Sequence, residues 1–447
     1  MLSLSLLGLS AAGAAAPSPQ ISSFTPTSGP VATTVTISGS GFNSTTSVRF
    51  NGVEAPFSQP RTTTITAGVP AEATSGKITV TTKHGTATST GSFSASATPP
   101  NIVLILTDDQ RYDELSGMPV VNSELVDKGL SFTNGFVEDP LCCPSRATIL
   151  TGRESNSTDV YDNKPPHGGY MTFHGEGEES STIATWLHGA GYYTGLVGKY
   201  FNGYTPKRAI SVPPGWDVWD GVANGSGPDG PGGGMYYQYY VSENGTLHYY
   251  GTDPSDYSTN VLSGYATSFI SGAPANQPLF LYFAPRAPHL RARAAPGDKN
   301  TFQDLAPLRP PSANEADVSD KPKYIRSIPP LSPTEMSARD EARRSQFRSL
   351  LAVDRAVGGI LDALRTSGRL GTTFILFASD NGLNIAEHRW TEKRVPYDES
   401  IRVPMIVRYD PATDLTPRSD PTQATTLSTL HSRMVQLCSP PPPGFTP

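Results

Sequence analysis

Cysteine is scarce in this chain, which has three cysteines in 447 residues, at positions 142, 143 and 438. Three cysteines cannot form the disulfide framework of a small secreted domain. Cys142 and Cys143 are adjacent, and neighbouring residues can be bridged only with severe backbone strain. The adjacent pair is therefore expected to serve a purpose other than stability.

Strong charge of one sign is also lacking, since 34 Lys and Arg stand against 40 Asp and Glu and the net charge is −6. No run of Lys or Arg occurs, so nucleic acid is not expected as a partner. Beyond the N-terminus, no segment approaches the ~20 unbroken apolar residues of a transmembrane helix. We therefore expect no membrane-embedded domain.

Residues 1–16 are apolar and end in small residues with an Ala-x-Ala pattern, which resembles a secretory signal peptide. They lack the usual positive charge near the start, and a disordered apolar tail is the alternative interpretation. The signal-like segment predicts a secreted or extracytoplasmic protein.

Glycine and proline are abundant, with 42 of each, well above the usual ~12% for the two together. We therefore expect many loops, and the length predicts roughly two to three domains. Residues 20–95 carry short alternating β-branched runs such as TVTISGSGF and GKITVTT, which predict a small all-β sandwich. The stretches ISSFTPTSGPVATTVTISGSGFN and VRFNGVEAPF resemble the immunoglobulin-like IPT/TIG module, which implies a spacer or a weak binding role. Residues 96–100 are predicted to be a linker.

From residue 101 the pattern changes to alternating strands and helices, which predicts an α/β domain with a mainly parallel sheet over 101–420. The apolar runs NIVLIL and TTFILFAS are typical of strands buried on both faces. STIATWLHGAGYYTGLVG predicts a helix and a strand, and FRSLLAVDRAVGGILDALRTSG predicts a helix with a glycine stop.

Residues 221–234 lack the ending of a phosphate loop and are expected to be a surface loop. Residues 285–335 are predicted to be a long loop over one face of the sheet.

Acidic and amide side chains follow the two apolar runs. NIVLIL leads into Asp108 and Asp109, and TTFILFAS leads into Asp380 and Asn381. In open α/β sheets, ligands collect beyond the carboxyl ends of the strands. Oxygen ligands without His or Cys favour calcium or magnesium. Asp108 and Asp109 alone could equally be a loop or a helix cap, but the second acidic strand end favours a metal site.

Five motifs resemble the sulfatase family, in this order: NIVLILTDDQ, LCCPSRATILTGR, GLVGKYFNGY, APRAPHL and FASDNG. The resemblance covers roughly residues 101–410, and Cys-x-Pro-Ser-Arg followed by ATILTGR is its most specific part. Within the family, LCCPSR and KRVPYDE are most similar to N-acetylglucosamine-6-sulfatases. The resemblance implies an alkaline-phosphatase-like α/β sandwich with a mainly parallel sheet and a sulfated carbohydrate substrate.

The resemblance also implies that Cys142 is oxidised to Cα-formylglycine by a formylglycine-generating enzyme, while Cys143 is the variable residue of the motif. One hydroxyl of the hydrated aldehyde attacks sulfur, and the second expels sulfate. One calcium ion is implied, held by Asp108, Asp109, Asp380 and Asn381, with an oxygen of the modified Cys142 completing the shell.

Catalytic roles follow from the matched positions. The implied residues are Cys142, Arg146, Lys199, His289 and Lys393. Arg146 is matched to the arginine that holds the diol, and Lys199 to a lysine that contacts diol and sulfate. His289 and Lys393 are matched to residues that bind sulfate and help to protonate the leaving alcohol. Cationic groups suit this task because negative charge on sulfate oxygens must be bound in the transition state.

Two departures from the family pattern stand out. Phe201, followed by Asn202, occupies the position where many sulfatases have a histidine base, so the base that acts on the second hydroxyl is unassigned. Asn384 stands where a histidine is common, with His388 nearby. Substrate contacts beyond the core of the site are therefore open.

Two other functions compete with a sulfatase. A phosphodiester or phosphonate monoester hydrolase shares the formylglycine motif but adds histidine ligands, and an inactive glycan-binding protein would have lost part of the site.

Residues 421–447 lack a helix pattern where sulfatases continue into a further subdomain. This irregular tail suggests the hypothesis of a truncated or frameshifted end.

Overall fold

The computed structural model describes residues 17–29, 33–70, 73–95, 99–223, 236–410 and 425–426. The signal-like segment 1–16, residues 224–234 of the predicted surface loop and nearly all of the tail 421–447 lie outside the described residues. The prediction of a loop over 221–234 is wrong for residues 221–223, which end the strand Val218–Ala223. Two compact units divide between Pro99 and Pro100. None of the helices within the described ranges is long and apolar enough to cross a membrane.

The N-terminal unit is a β-sandwich, as its alternating sequence predicts. One sheet has the strand order β1-β3-β7-β6 and the other β2-β9-β8-β4-β5. Both sheets contribute side chains to one core, for example Ile37 and Ile65 from the first and Phe50 and Val80 from the second. The strands are β1 (Gln20–Thr25), β2 (Ser28–Gly29), β3 (Thr34–Ser40), β4 (Thr45–Phe50), β5 (Val53–Glu54), β6 (Phe57–Arg61), β7 (Thr64–Gly68), β8 (Gly76–Thr82) and β9 (Gly85–Ala95).

The second unit is built on a mixed sheet with the strand order β11-β19-β18-β10-β17-β13-β14-β15-β16. Its centre, from β18 to β14, is parallel, and its two edges are antiparallel. The strands are β10 (Asn101–Thr107), β11 (Leu130–Ser131), β12 (Gly135–Phe136), β13 (Tyr193–Lys199), β14 (Val218–Ala223), β15 (Tyr239–Glu243), β16 (Thr246–Tyr250), β17 (Leu279–Ala284), β18 (Thr373–Ser379), β19 (Met405–Arg408) and β20 (Thr425–Thr426), the last of which pairs with β12.

Helices cover both faces of this sheet. Leu104 and Leu106 of β10 pack with α2, α4 and α5, whereas Val103 and Ile105 pack with α6 and α8 on the other face. This alternation makes a three-layer α/β/α sandwich. The helices are α1 (Pro119–Val121), α2 (Cys142–Thr151), α3 (Ser155–Thr158), α4 (Gly169–Gly175), α5 (Ile183–Gly189), α6 (Ser258–Gly272), α7 (Lys323–Arg326), α8 (Pro333–Thr366) and α9 (Asp398–Ile401). Single turns of 3₁₀ or π helix occur at Leu115–Gly117, Asn122–Val126, Glu178–Ser180, Pro254–Asp256 and Leu370–Thr372.

The main predicted elements are confirmed. NIVLIL and TTFILFAS form β10 and β18, and every residue of both strands is buried. Between β17 and α8 the chain forms no regular element except α7, as expected for the long loop. The predicted amphipathic helix is longer than its apolar pattern, since α8 begins at Pro333 with a capping box between Ser332 and Glu335.

Candidate active site

The ends of two neighbouring parallel strands place the acidic residues together. Thr107 of β10 lies opposite Ser379 of β18 in the register, so the residues that follow them meet at one edge of the sheet. The Asp109 backbone N–H donates to Oδ1 of Asp380 over 3.1 Å. Asp109 adopts a left-handed backbone with φ of +66°, which turns the chain sharply after the strand. The predicted meeting of these strand ends is therefore present.

Helix α2 brings Cys142 to the same place. Cys142 is the first residue of the helix and is fully buried. Its Sγ lies 3.6 Å from Oδ1 of Asp108 and 3.9 Å from Oδ1 of Asp109. The unpaired N–H groups at a helix N-terminus favour negative charge, so this position suits a group that reacts with an anion.

Two cations bind the carboxylates from the other side. Nζ of Lys199, at the end of β13, lies 2.6 Å from Oδ2 of Asp108 and 3.8 Å from Oδ2 of Asp380. Arg146 follows Cys142 by four residues on α2, so both side chains lie on one face of the helix. Nε of Arg146 donates to Oδ2 of Asp380 over 2.8 Å, and its Nη1 donates to the Lys199 carbonyl over 3.0 Å.

Lys393 and His289 complete the cluster from two loops. Nζ of Lys393 donates to Oδ1 of Asp109 and lies 2.8 Å from Sγ of Cys142. Nε2 of His289 lies 3.6 Å from Oδ2 of Asp109. On the other side of the ring, Nδ1 lies 2.5 Å from the Leu290 carbonyl, which can only accept a hydrogen bond. This contact fixes the proton on Nδ1 and turns Nε2 toward the carboxylates.

The charges of the cluster compensate one another. Burial opposes ionisation of Asp108, but the surrounding positive charges, Lys199 foremost, hold its pKa well below the usual range. Burial and the charge of Asp108 raise the pKa of Asp380. Burial would lower the pKa of His289, but the two neighbouring aspartates, Asp109 foremost, raise it to about 9. The site therefore holds several ionised groups out of water, each with a partner.

Cys143 lies in different surroundings from Cys142. It belongs to the apolar cluster beneath α2, and its Sγ accepts a hydrogen bond from the Asn202 backbone N–H over 3.2 Å. Burial raises the pKa of the Cys143 thiol to about 12. A thiol held neutral in this way is a poor nucleophile, so the structure separates a thiol at the charged site from a thiol in the core.

The side chains at the two departures from the family pattern make packing and local hydrogen-bond contacts. Phe201 is buried and stacks on Phe173 with ring centroids 4.4 Å apart, so it contributes packing. Asn384 is buried and accepts a hydrogen bond from Ser400 over 2.6 Å. His388 pairs with Glu315 over 2.9 Å, and nothing described joins it to Cys142.

Arg286 is a site residue that the sequence reasoning missed. It follows β17 by two residues and is 4% exposed. Burial lowers its pKa, and the charges of Asp108 and Arg146 are close enough to affect it. The signal was present, because Arg286 stands three residues before His289 in a loop that leaves a buried strand at the site's edge.

Metal-ligating atoms are concentrated at this site. In the described part of the chain, ligand atoms of Asp108, Asp109, Cys142 and His289 lie within 4.8 Å of one another. Asn381 lies beside this group, since its Nδ2 donates to Oδ1 of Asp109 over 2.7 Å. In Asp380, Oδ2 accepts from Nε of Arg146, while Oδ1 faces the Asp109 backbone N–H. The group therefore contains a histidine nitrogen that the expectation of purely oxygen ligands had left out.

The sequence of this chain is similar to those of known sulfatases. The chain is 32% identical to an arylsulfatase of Volvox carteri, over 69% of this chain and 50% of that protein. It is 32% identical to the N-acetylglucosamine-6-sulfatase of Homo sapiens, over 69% and 56%. The chain thus spans about half the length of these curated relatives.

Solved structures share the fold. A protein in complex with its substrate D-glucosamine-2-N,6-O-disulfate superposes with a TM-score of 0.62 and 22% identity, covering 76% of this chain and 77% of that one. The phosphonate monoester hydrolase of Agrobacterium radiobacter superposes with a TM-score of 0.56 and 18% identity, covering 75% and 73%.

Family models match both units. The IPT/TIG domain model matches residues 19–98, in agreement with the β-sandwich described above. The sulfatase model matches residues 100–428, which contain every residue of the charged cluster. The predicted fold class, an alkaline-phosphatase-like α/β sandwich preceded by an all-β module, is confirmed, and the chain belongs to the sulfatase family.

Proposed function

We propose that this protein hydrolyses sulfate monoesters, with the 6-O-sulfate of N-acetylglucosamine-type sugars as the substrate class. The observation that carries the proposal is the position of Cys142, whose Sγ lies among Asp108, Asp109 and Lys393 at a helix N-terminus. The similarity to the human N-acetylglucosamine-6-sulfatase supports the choice of sugar.

Cys142 is the proposed precursor of formylglycine. When hydrated, this group would supply one hydroxyl that attacks sulfur and a second that provides a route for sulfate release. A cysteine thiolate could accept the sulfuryl group but would have no such internal route. Covalent catalysis of this kind divides a difficult step into two easier ones.

Arg146 and Lys199 are proposed to bind the charge of the sulfate. Both side chains are buried and already hold carboxylates at 2.8 Å and 2.6 Å. Their positions are therefore fixed before substrate arrives, so little reorganisation is needed during the reaction. In a buried site of low dielectric, such preset charges act more strongly than they would in solvent.

His289 and Lys393 are proposed to serve the leaving alcohol. His289 keeps a proton on Nδ1 through Leu290, so Nε2 can carry the proton that is transferred. Lys393 lies beside Cys142 and can bind a sulfate oxygen on the same side. Proton donation to the departing oxygen is needed because an alkoxide is a poor leaving group.

One calcium ion is proposed at the strand ends. Asp108, Asp109, Asp380 and Asn381 offer the oxygen donors that calcium prefers. Nζ of Lys393 lies among Asp109 Oδ1, Cys142 Sγ and Asn381 Oδ1, which supports the view that these atoms attract a cation. When bound, the ion would add positive charge beside the sulfate group.

A formylglycine-generating enzyme is the proposed partner for maturation, and an extracytoplasmic location is proposed from the signal-like start. The test uses protein co-expressed with such an enzyme. Sulfate release from an N-acetylglucosamine 6-sulfate, without cleavage of an aryl phosphodiester, is the expected result. If the matured protein cleaves phosphodiesters and releases no sulfate from any sugar sulfate or aryl sulfate, the proposal is wrong.

A phosphonate or phosphodiester hydrolase is the second candidate. Nε2 of His289 lies within the group of ligand atoms, and histidine ligands are the feature expected of that branch. Sulfate and phosphate differ mainly in charge, so the substrate comparison above separates the two candidates. The third alternative, an inactive glycan-binding protein, is disfavoured because the residues matched to the family's catalytic positions are all present and lie in one cluster.

A further inference from the structure

His289 lies at the mouth of the charged cluster, on the loop between β17 and α7. Its side chain is 21% exposed, against 3% for the neighbouring Asp109. A departing alcohol leaves the buried cluster toward solvent, so this ring is placed to meet it. The ring can give a proton to the alcohol only if Nε2 keeps its orientation, and a loop residue needs outside support for that.

The orientation of the ring depends on one peptide group. Nδ1 of His289 donates to the carbonyl of Leu290, the next residue in the chain. That contact determines which ring nitrogen faces the carboxylates. The peptide group between the two residues is planar, so a fixed His289 carbonyl also fixes the Cα from which the Leu290 carbonyl projects. Whatever holds the His289 carbonyl therefore holds the ring.

Tyr236 holds this carbonyl. Its hydroxyl donates to the His289 carbonyl over 2.9 Å, and Tyr236 is buried. Tyr236 is itself anchored at two points. Its carbonyl accepts from the Ser258 N–H at the start of α6 over 3.0 Å, and its ring stacks on Tyr257 with centroids 5.8 Å apart. The hydrogen bond to His289 thus comes from a ring that is fixed in place.

Tyr257 makes a parallel contact farther along the same loop. Its hydroxyl donates to the Arg293 carbonyl over 2.7 Å. The two stacked tyrosines therefore each hold one carbonyl, and these carbonyls are four residues apart in the chain. Of the two, the carbonyl held by Tyr236 belongs to His289 itself. The pair provides its own control, because the same bond can be removed at either position.

We propose that Tyr236 is a positioning residue for proton transfer to the leaving alcohol. The inference rests on the proposed function, in which His289 serves that alcohol. As the sulfur–oxygen bond breaks, its electron pair stays on the alcohol oxygen, which takes the Nε2 proton and leaves His289 neutral with a proton on Nδ1. Tyr236 transfers no proton. Its hydroxyl fixes the peptide after His289 and so directs Nε2 toward the departing oxygen.

Leaving groups of different acidity test this in the matured protein. A sugar sulfate needs a proton at the departing oxygen, whereas nitrophenyl sulfate releases a phenolate that is stable without one. Tyr236→Phe should lower kcat for N-acetylglucosamine 6-sulfate about three- to tenfold, and kcat for nitrophenyl sulfate by less than about twofold. Tyr257→Phe is the matched control and should change neither. Both substitutions keep the ring and its packing. An equal loss for the two esters in Tyr236→Phe overturns the inference.

A double-variant cycle shows whether Tyr236 acts through His289. In a His289→Ala background, Tyr236→Phe should have no further effect on turnover of the sugar sulfate, because the ring that it positions is gone. A further loss of about threefold or more in that background means that Tyr236 acts by another route, which overturns the inference.

Nuclear magnetic resonance gives a readout that requires no turnover. In Cys142→Ala protein with ¹⁵N-labelled histidine, the Nδ1 proton of His289 should be protected from exchange with water, and His289→Asn identifies its signal. Tyr236→Phe should speed this exchange at least about fivefold, whereas Tyr257→Phe should leave it unchanged. An unprotected proton in the parent, or equal exchange in Tyr236→Phe, overturns the inference. Failure of the matured wild type to release sulfate overturns the proposed function instead.

Discussion

Replacement of each adjacent cysteine by alanine should separate catalysis from stability. Cys142→Ala removes the thiol whose oxidation turns Cβ into the aldehyde, so we expect sulfate release to fall by at least about 10³-fold. Cys143→Ala removes a sulfur from the apolar core and leaves the Asn202 N–H without its acceptor. An unsatisfied buried donor costs about 1–3 kcal/mol, so Cys143→Ala should lower the melting temperature while it keeps most of the activity.

The assay pairs initial rates with thermal melts and peptide mass spectrometry across 141–153. The wild-type peptide should lose about 18 Da at position 142, because a thiol group becomes an aldehyde. Cys142→Ser is the sharper variant, since a serine can accept the sulfuryl group but cannot expel it, and a stable sulfated peptide should accumulate. Aldehyde at Cys143, or full turnover by Cys142→Ser, would show that the reacting cysteine has been misassigned.

Three further outcomes are expected. Elemental analysis should find one calcium ion per chain. Asp380→Asn should lower both the calcium content and the activity by at least about tenfold. Stoichiometric zinc in the wild type, or full activity of the variant, contradicts this. Burial raises the pKa of Glu114 to about 8, so the folded protein keeps a proton that the unfolded chain releases above about pH 4.5. This carboxyl should therefore make the free energy of unfolding fall as pH rises toward 8, by at most about 1.4 kcal/mol per pH unit. Glu114→Gln should reduce the slope in denaturant titrations, and an identical slope in the variant refutes the assignment. Because Cys142 is fully buried, a formylglycine-generating enzyme should convert it to formylglycine during co-expression, before the chain folds. If mass spectrometry detects this conversion when the enzyme is added to the folded protein, the prediction is wrong.

The central strands and the residues at their ends could be predicted because the residues that determine them are adjacent in the sequence. A short run such as NIVLIL, half of it β-branched, is typical of a strand buried on both faces. The register of Thr107 with Ser379 brings the ends of two such parallel strands together. The carboxylates after them then meet without any further information. For this reason the positions of Asp108, Asp109 and Asp380 were predictable.

Elements without an apolar signature were harder to predict. The first half of α8 carries no apolar stripe, and it is held by the capping box and by ion pairs such as Arg309 with Asp340. The hairpin of β15 and β16 had a usable signal, since Asn244 and Gly245 both adopt positive φ between alternating runs. Arg286 had only an indirect signal, its position three residues before His289, because nothing in its own sequence neighbourhood separates a site arginine from a surface one.

The buried charged side chains of the active site affect both the stability of the fold and its activity. Asp380 lies between Arg146 and Lys199, and all three side chains are almost completely buried. Removal of one partner leaves another charge uncompensated and costs about 3–5 kcal/mol, a large part of a total stability of about 5–15 kcal/mol. An alanine variant within this cluster therefore loses activity for two reasons that a rate alone does not separate. Substitutions that keep the shape, such as Asp380→Asn, together with a melt of each variant, assign the loss to chemistry or to folding.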